Sequence, residues 1–428
     1  MNKKAANIID YLYKRELIAQ ITNKNELIAI LKTKSVNLYC GFDPTADSLH
    51  VGHLALLLCL KRFQTFGHNP LILLGGGTAL IGDPSFKNTE RLLQSLYTIQ
   101  KWTKKIESQI SLFIKYNNKK KSEPFIINNY KWFKSMRVLT FLRDIGKFFS
   151  INKMINKDII KKRLNQNNSG ISYTEFSYNL MQSYDFAYLY KHFGVLLQIG
   201  GSDQWGNIIS GIDLIHRMYK KTAYGITIPL ITNINNTKFG KTEKHTIWLD
   251  PKKTSPYKFY QYWINIDDQI VYQFLKFFTD IDIDTINLYK KNGFIDNKTS
   301  RAQIILAEEI TRLIHGPEGL NAAKRITDTL FSGKTLQLTL NDFDQLAQDG
   351  MPSIIITNNN ITLQQALVDS KLATSRTQAR QLIISNAITI NSCKQLQTKY
   401  IFHDCDKLYN RYTLLKRGRK NYCLIQWN

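Results

Sequence analysis

The segment YCGFDPTADSLHVGH, residues 39–53, decides the fold of this 428-residue chain. An apolar, strand-like run ends in a turn that contains Pro44, and a helical pattern follows. A helix that begins after a strand presents unpaired N–H groups and the positive end of its dipole, which suit a phosphate. His50 and His53 are three residues apart, so we expect both imidazoles on one helix face. Gly52 between them leaves room for a nucleoside beside the backbone. Two packed core histidines are the alternative.

The regions around this segment alternate strand-like and helical patterns, which is typical of a parallel sheet with crossover helices. The predicted strands are residues 36–42, 70–75 and 195–200. The predicted helices are residues 53–66, 174–193 and 207–219. The sequence therefore predicts a Rossmann-like α/β domain over residues 1–235.

The second half of the chain has a different pattern. Amphipathic helical spacing, clearest over residues 301–315, predicts a helical domain over residues 236–331. Weak signals and turn residues predict a linker over residues 332–360. Helices over 363–369 and 376–385 and a strand over 387–391 predict an α+β domain over residues 361–428.

Composition limits the possible functions. The chain has 58 Lys and Arg against 33 Asp and Glu, a net charge of +25. This charge suits a polyanionic partner, although a Lys- and Asn-rich composition alone explains much of it. The five cysteines are scattered and odd in number, so we expect reduced thiols with neither a disulfide framework nor a zinc site. No apolar run approaches the roughly 18 residues of a membrane span. These features predict a cytoplasmic protein.

Several polar residues are placed to line a small pocket. Tyr178, Gln182 and Asp185 share one stripe of the predicted helix, which is wrong for a core. Gln204 follows the end of a strand, where ligands of open α/β sheets bind. Asp83 follows a glycine-rich turn that matches neither a phosphate-binding Walker loop nor a dinucleotide fingerprint. A purely structural turn is the alternative for those glycines.

Taken together, these segments resemble the bacterial-type tyrosyl-tRNA synthetases, which belong to class I. The resemblance rests on HVGH at 50–53, GGSDQWGN at 200–207, KFGKT at 238–242 and AEEITRLIHG at 307–316. The loop KFGKT is weak evidence alone and becomes diagnostic behind H-x-G-H. The resemblance extends over nearly the whole chain. It implies that ATP, carried as its Mg²⁺ complex, activates L-tyrosine to tyrosyl-adenylate with release of pyrophosphate. Tyrosine is then transferred to the 3′-terminal adenosine of tRNA(Tyr).

The resemblance also implies roles for individual residues. The implied catalytic residues are Thr45, His50, His53, Lys238, Lys241 and Thr242. The implied tyrosine-binding residues are Tyr39, Gly41, Asp83, Tyr178, Gln182, Asp185 and Gln204. The implied ATP-binding residues are Asp43, His50, Gly52, His53, Asp203 and Lys241. The implied tRNA-binding residues are Lys87, Arg91, Arg376, Arg380, Lys416, Arg417, Arg419 and Lys420. The family further implies a homodimer, no resident metal, a helical anticodon-side domain and an S4-like RNA-binding domain at residues 361–428.

Two features weaken parts of this assignment, and three other functions stay open. Ala79 and Phe86 stand where the family usually has glycines, which puts the tRNA roles of Lys87 and Arg91 in doubt. The alternatives are a tryptophanyl-tRNA synthetase, an H-x-G-H cytidylyltransferase and an RNA-binding protein with an inactive synthetase body. In the C-terminal block we expect a stacking surface for RNA from three aromatic side chains, Tyr412, Tyr422 and Trp427.

Overall fold

The computed structural model describes residues 7–83, 92–113, 125–156, 160–161, 171–231, 246–291, 295–296, 299–332, 337–357, 360–418 and 421–428. The chain forms two compact units. The first unit comprises Met1–Ile247 and Tyr272–Lys291, and the second comprises Trp248–Val271 and Asn292–Asn428. The segment 272–291, which the sequence placed in the helical domain, therefore belongs with the first unit.

The first unit is built on a six-stranded sheet. Its strands are β1 (Gln20–Ile21), β2 (Asn37–Phe42), β3 (Asn69–Leu74), β4 (Ile126–Asn128), β5 (Val195–Gly201) and β6 (Tyr224–Ile228). They lie in the order β1-β6-β5-β2-β3-β4. All neighbours are parallel except β1, which pairs antiparallel with β6. This confirms the predicted Rossmann-like fold class.

Helices accompany these strands. They are α1 (Ile8–Lys14), α2 (Lys24–Thr33), α3 (Val51–Thr65), α4 (Leu96–Phe113), α5 (Tyr130–Phe133), α6 (Val138–Asp144), α7 (Ile151–Ile155), α8 (Tyr173–Phe193), α9 (Trp205–Tyr219), α11 (Val271–Phe278) and α12 (Ile283–Lys291). Helix α3 is buried along most of its length, which explains its continuous apolar sequence. Gly67 follows it with φ +90°, a conformation that glycine adopts without strain and that ends the helix.

Strand order fixes where a ligand can bind. Within the sheet, β3 lies on one side of β2 and β5 lies on the other. The crossovers that leave β2 and β5 therefore diverge, which opens a crevice at the carboxyl ends of these two strands.

Two buried arginines attach residues 272–291 to the first unit. Arg15 is fully buried and donates to the carbonyls of Lys276, Thr279 and Ile281 at 2.9, 2.7 and 2.6 Å. Arg62 donates to the Thr279 carbonyl at 2.9 Å. A guanidinium group has several donors, and here it pairs with a carbonyl of the last turn of α11 and with carbonyls of the residues just after it.

The second unit combines helices with a five-stranded sheet. Its helices are α10 (Pro256–Ile264), α13 (Arg301–Ser332), α14 (Leu340–Gln345), α15 (Leu363–Asp369) and α16 (Arg376–Ile384). The sheet has the order β11-β10-β12-β13-β9, with β9 (Ser353–Ile356), β10 (Ile388–Ile390), β11 (Cys393–Lys394), β12 (Tyr412–Arg417) and β13 (Asn421–Trp427). A separate hairpin pairs β7 (Ile295–Asp296) with β8 (Thr299–Ser300). Helix α13 continues past its predicted end and kinks at Gly316, where φ is +72°.

The residues that the sequence assigned to a linker, 332–360, include regular structure. They contain α14 and β9, and β9 pairs in parallel with β13, the last strand of the chain. Tyr257, Ile326 and Phe343 pack in one core with Tyr412 and other residues of β12 and β13. The linker prediction is therefore corrected, because these residues contribute a helix and a strand to the C-terminal sheet and its core.

Among the described residues, no helix is both long enough and apolar enough to cross a membrane.

Candidate active site

A cavity of about 250 Å³ opens at the carboxyl ends of β2 and β5. All the predicted tyrosine and ATP residues that the structure describes line it together with the predicted catalytic residue Thr45, namely Tyr39, Gly41, Asp43, Thr45, His50, Gly52, His53, Asp83, Tyr178, Gln182, Asp185, Asp203 and Gln204. Residues up to 165 positions apart in the chain thus meet at the predicted edge of the sheet.

The two histidines of H-x-G-H form the start of α3. His50 is the N-cap residue, and its Nδ1 accepts from the Gly52 N–H at 3.0 Å. His53 Nδ1 accepts from the His50 N–H at 3.2 Å, and the two ring centroids are 3.9 Å apart. Since a backbone N–H can only donate, each Nδ1 must be unprotonated, and a neutral ring carries its proton on Nε2. The helix cap therefore gives both imidazoles a defined tautomer that can donate from Nε2.

At one end of the cavity, Asp185 and Tyr39 supply buried polar groups. Asp185 is 2% exposed and accepts from Asn129 Nδ2 at 3.0 Å and from Trp132 Nε1 at 2.9 Å. Burial raises the pKa of Asp185 well above its usual range, and the two donors act in the opposite direction. Burial and the Asp185 charge raise the pKa of Tyr39, so its hydroxyl keeps its proton. Among the described residues, that hydroxyl has no hydrogen-bond partner.

Asp43 links the glycine-rich turn to helix α8. Its carboxylate accepts from the Tyr178 hydroxyl at 2.8 Å and from the Thr78 hydroxyl at 2.7 Å. A Cβ on Gly75 would lie 1.8 Å from Asp43 Oδ1, so the close approach requires glycine there. Because Tyr178 donates its proton to Asp43, its oxygen is left as an acceptor. Gly75 thus lines the cavity, and the purely structural alternative is insufficient for this glycine.

Asp83 is held by side-chain amides. Gln204 Nε2 donates to Asp83 Oδ2 at 3.0 Å, and Gln182 Nε2 donates to Gln204 Oε1 at 3.0 Å. Asn207 Nδ2 donates to Gln182 Oε1 at 2.8 Å. Gln204 therefore uses its amide to orient two residues predicted to bind the ligand.

The other predicted residues of this region lie in different surroundings. Gly41 is exposed, and a Cβ on it would meet no atom within 4 Å, so the strand surface here is open. Asp203 is close enough to Gly201 that a Cβ there would lie 2.6 Å from its Oδ1. Lys87, Arg91, Lys238, Lys241 and Thr242 lie outside the described residues. Just after the KFGKT segment, the Ile247 carbonyl accepts from the Val51 N–H at 3.1 Å, beside the histidines.

Several predicted tRNA-binding residues of the second unit contact other residues of the same chain. Arg376 and Arg380 are exposed on α16, and Arg376 Nε donates to Gln365 at 3.0 Å. Lys416 lies over the Tyr422 ring at 4.8 Å from its centroid, and Arg417 donates to the Leu372 carbonyl at 2.7 Å. The last two predicted residues of this set, Arg419 and Lys420, lie outside the described residues.

The expected aromatic stacking surface is wrong for two of its three residues. Tyr412 and Trp427 are 2% and 7% exposed, because their positions on β12 and β13 point into the two cores of the second unit. Tyr422 is partly exposed, and its hydroxyl donates to the Leu330 carbonyl.

Sequence reasoning missed four polar residues that organise the site. Asn129, Trp132 and Thr78 contact Asp185 or Asp43, and Asn207 contacts Gln182. Asn207 belongs to the GGSDQWGN segment that carried the resemblance, so that motif could have revealed it. The others have no spacing relation to their partners.

Comparisons with known proteins define the class. The family model described as "tRNA synthetases class I (W and Y)" matches residues 31–332. A model described as "Tyrosine--tRNA ligase SYY-like C-terminal domain" matches residues 342–425. With the sheet order, the cavity and the histidine cap, these matches define a class I tRNA synthetase of the tryptophan and tyrosine group. The cytidylyltransferase alternative is thereby excluded.

Sequence and structural similarity to individual proteins identifies the family within this class. A tyrosine–tRNA ligase of Blochmanniella floridana is 69% identical over 422 residues, which are 99% of each chain. One of Yersinia pestis is 57% identical over 423 residues, again 99% of each chain. The crystal structure of a C-terminally truncated mitochondrial tyrosyl-tRNA synthetase of Aspergillus nidulans has a TM-score of 0.67 and 29% identity, and covers 77% of this chain and 95% of that one. The chain belongs to the tyrosine–tRNA ligases.

Proposed function

We propose that this chain binds L-tyrosine and ATP in the cavity at β2 and β5, forms tyrosyl-adenylate and pyrophosphate, and transfers tyrosine to the 3′-terminal adenosine of tRNA(Tyr) with release of AMP. The observation that carries the proposal is the buried pair at one end of the cavity. Tyr39 offers a hydroxyl donor with no protein partner among the described residues, and Asp185 offers a carboxylate acceptor. The hydroxyl of a tyrosine substrate satisfies both.

The same pair gives selectivity. The substrate phenol would donate its proton to Asp185 and accept from Tyr39. A phenylalanine would leave the Tyr39 hydroxyl unpaired and would give Asp185 no donor beyond Asn129 and Trp132. Sites built in this way reject such analogues strongly, tyrosyl-tRNA synthetases being the established example. An indole has no oxygen at this position, so the pair also disfavours the tryptophanyl alternative.

The other polar residues would hold the substrate's ammonium and ATP. Asp83, the Tyr178 oxygen and Gln182 supply acceptors for the ammonium. Gly41 would lie against the tyrosine, and Gly52 and Asp203 would lie against the nucleotide.

Activation needs no general base. The tyrosine carboxylate is already ionised, and its oxygen forms a bond to the α-phosphorus of ATP while the bond to the leaving pyrophosphate breaks. Catalysis then consists of positioning and of stabilising the growing phosphate charge. We propose Thr45, the Nε2 donors of His50 and His53, Lys238 and Lys241 for this task, with Thr242 supporting the lysine loop. Mg²⁺ would accompany ATP and offset part of its charge.

ATP–pyrophosphate exchange measured separately with tyrosine, tryptophan and phenylalanine tests the first half-reaction. Tyrosine-dependent exchange is expected, and its absence would revive the inactive, RNA-binding alternative. Charging of tRNA(Tyr) tests the second half-reaction. Arg380→Glu should reduce charging and leave exchange unchanged, because Arg380 is exposed in the second unit, whereas the cavity is in the first.

We further propose a homodimer in the cytoplasm. Apolar side chains of α6 and α7 are strongly exposed, with Val138, Leu139 and Ile151 at 73%, 81% and 64%. Exposed apolar patches mark interaction surfaces, and a second copy is the occupant that the family implies. Sedimentation velocity of the protein and of Leu139→Asp tests this: the variant should shift toward monomer. We also propose the domain bounds 1–235 and 236–331, except that residues 272–291 belong with the first unit.

A further inference from the structure

A chain of side-chain amides extends from the ammonium site into the seam between α8 and α9. Beyond Gln182 and Gln204, Asn207 Nδ2 donates to Gln182 Oε1 at 2.8 Å and to Gln204 Oε1 at 3.2 Å. Asn179 Nδ2 in turn donates to Asn207 Oδ1 at 2.7 Å. Neither asparagine lines the cavity.

All the side-chain amides in this hydrogen-bonded series have the same donor-to-acceptor direction. Each NH₂ group donates to the next oxygen toward Asp83, and the last one, on Gln204, donates to the Asp83 carboxylate. A carboxylate only accepts, so its charge fixes the orientation of Gln204. Asn207 then fixes both glutamines, because its NH₂ requires an oxygen from each.

We propose that Asn207 is a positioning residue for recognition of the substrate's ammonium group, and that Asn179 supports it. The inference rests on the proposed function. An amide oxygen has two lone pairs. Asn207 uses one on Gln182 and leaves the other for the ammonium. If the Gln182 amide turned over, its NH₂ would face the cationic substrate, and one ammonium hydrogen bond would be replaced by a repulsive contact.

Binding measurements on Asn207→Leu test the proposal with three ligands. L-Tyrosine has the ammonium and the carboxylate, tyramine keeps only the ammonium, and 3-(4-hydroxyphenyl)propanoate keeps only the carboxylate. We expect the Kd of tyrosine and of tyramine to rise about tenfold, the effect of about one hydrogen bond. The Kd of the propanoate should change less than about twofold by the same reasoning, since it makes no ammonium contact.

Two further variants separate positioning from general damage. Ser183→Ala is the matched control, because Ser183 donates to the backbone carbonyl of Asn179 and is not part of the amide chain. It should leave all three affinities unchanged. Asn179→Ala should show the same ligand pattern as Asn207→Leu with a smaller loss, and it keeps the test informative if Asn207→Leu folds poorly, which thermal melting would reveal.

Equal losses for all three ligands, or unchanged binding of tyrosine, would overturn the proposal. Failure of the proposed function gives a different result, because the unmodified protein would then show no tyrosine-dependent exchange.

Discussion

Replacing Trp132 by Phe should weaken the selection of tyrosine over phenylalanine. Trp132 Nε1 donates to Asp185 Oδ1 at 2.9 Å, and its ring stacks on Tyr188 with centroids 4.2 Å apart. Phenylalanine keeps a ring at this position and removes the donor. Of the two bonds that described side chains donate to Asp185, the variant then keeps the one from Asn129, at 3.0 Å.

The size of the effect follows from the charge on the acceptor. A hydrogen bond to a charged group contributes about 1.5–3 kcal/mol. At about 1.4 kcal/mol per factor of ten, kcat/KM for tyrosine should fall roughly 10- to 100-fold. Phenylalanine makes no bond to Asp185, so its kcat/KM should change little and the ratio of the two should fall by nearly the full factor.

The pH dependence gives a second observable with a defined sign. The bonds from Asn129 and Trp132 lower the pKa of Asp185 against the effect of burial, so loss of one bond raises that pKa further. The phenol needs the ionised carboxylate as acceptor. Activity with tyrosine is lost as the pH falls through this pKa, and in the variant the loss should begin at higher pH.

Pyrophosphate exchange with both amino acids across the neutral pH range measures the ratio and the profile. Tyr188→Leu is the matched control: it removes the stacking partner and leaves the donor, so it should lower the melting temperature without changing the ratio. An unchanged ratio together with superimposable pH profiles in Trp132→Phe would refute the reasoning.

Three further changes have defined outcomes. Lys241→Ala should lower the rate of adenylate formation far more than tyrosine affinity, as single-turnover kinetics and equilibrium binding would show; comparable losses in both would contradict its role. Gly75→Ala should destabilise the protein by about 1–3 kcal/mol and reduce activity, because its Cβ would lie 1.8 Å from Asp43 Oδ1. Gly206→Ala should do neither, because a Cβ on Gly206 would meet no atom within 4 Å. Thermal melting and pyrophosphate exchange compare the two variants. Removal of residues 361–428 should give an unstable protein, since β9 loses β13 and the shared core is exposed; melting with an unchanged midpoint would contradict this.

The elements nearest the site were predictable because their signals are local. The strand before H-x-G-H, the helix after it and the polar stripe of α8 all follow from periodicity within about 20 residues. Helix α3 nevertheless begins at Val51, with His50 as its cap, and this placement gives the tautomers that a purely helical His50 would not have.

Asn129 and Trp132 could not be found in the same way. They lie 56 and 53 positions from Asp185, with α6, α7 and the first part of α8 in between, and no periodicity connects them. The same holds for β9, a four-residue strand whose partner is the last strand of the chain. Short-range patterns identify groups that face a ligand, whereas groups that orient those residues depend on the tertiary fold.

Under the proposed function, the buried polar groups that would select tyrosine over phenylalanine also lower the free energy of unfolding. Tyr39 and Gln198 lie directly opposite each other on β2 and β5, and each has a buried oxygen without a hydrogen-bond partner among the described residues. Each such group costs about 1–3 kcal/mol, and burial of the Asp185 charge adds to this. A tighter core at this position would remove the cost, but it would also remove the penalty that phenylalanine incurs. Under the proposed function, the unpaired Tyr39 hydroxyl therefore lowers the stability of the fold and also gives the site its preference for a hydroxyl.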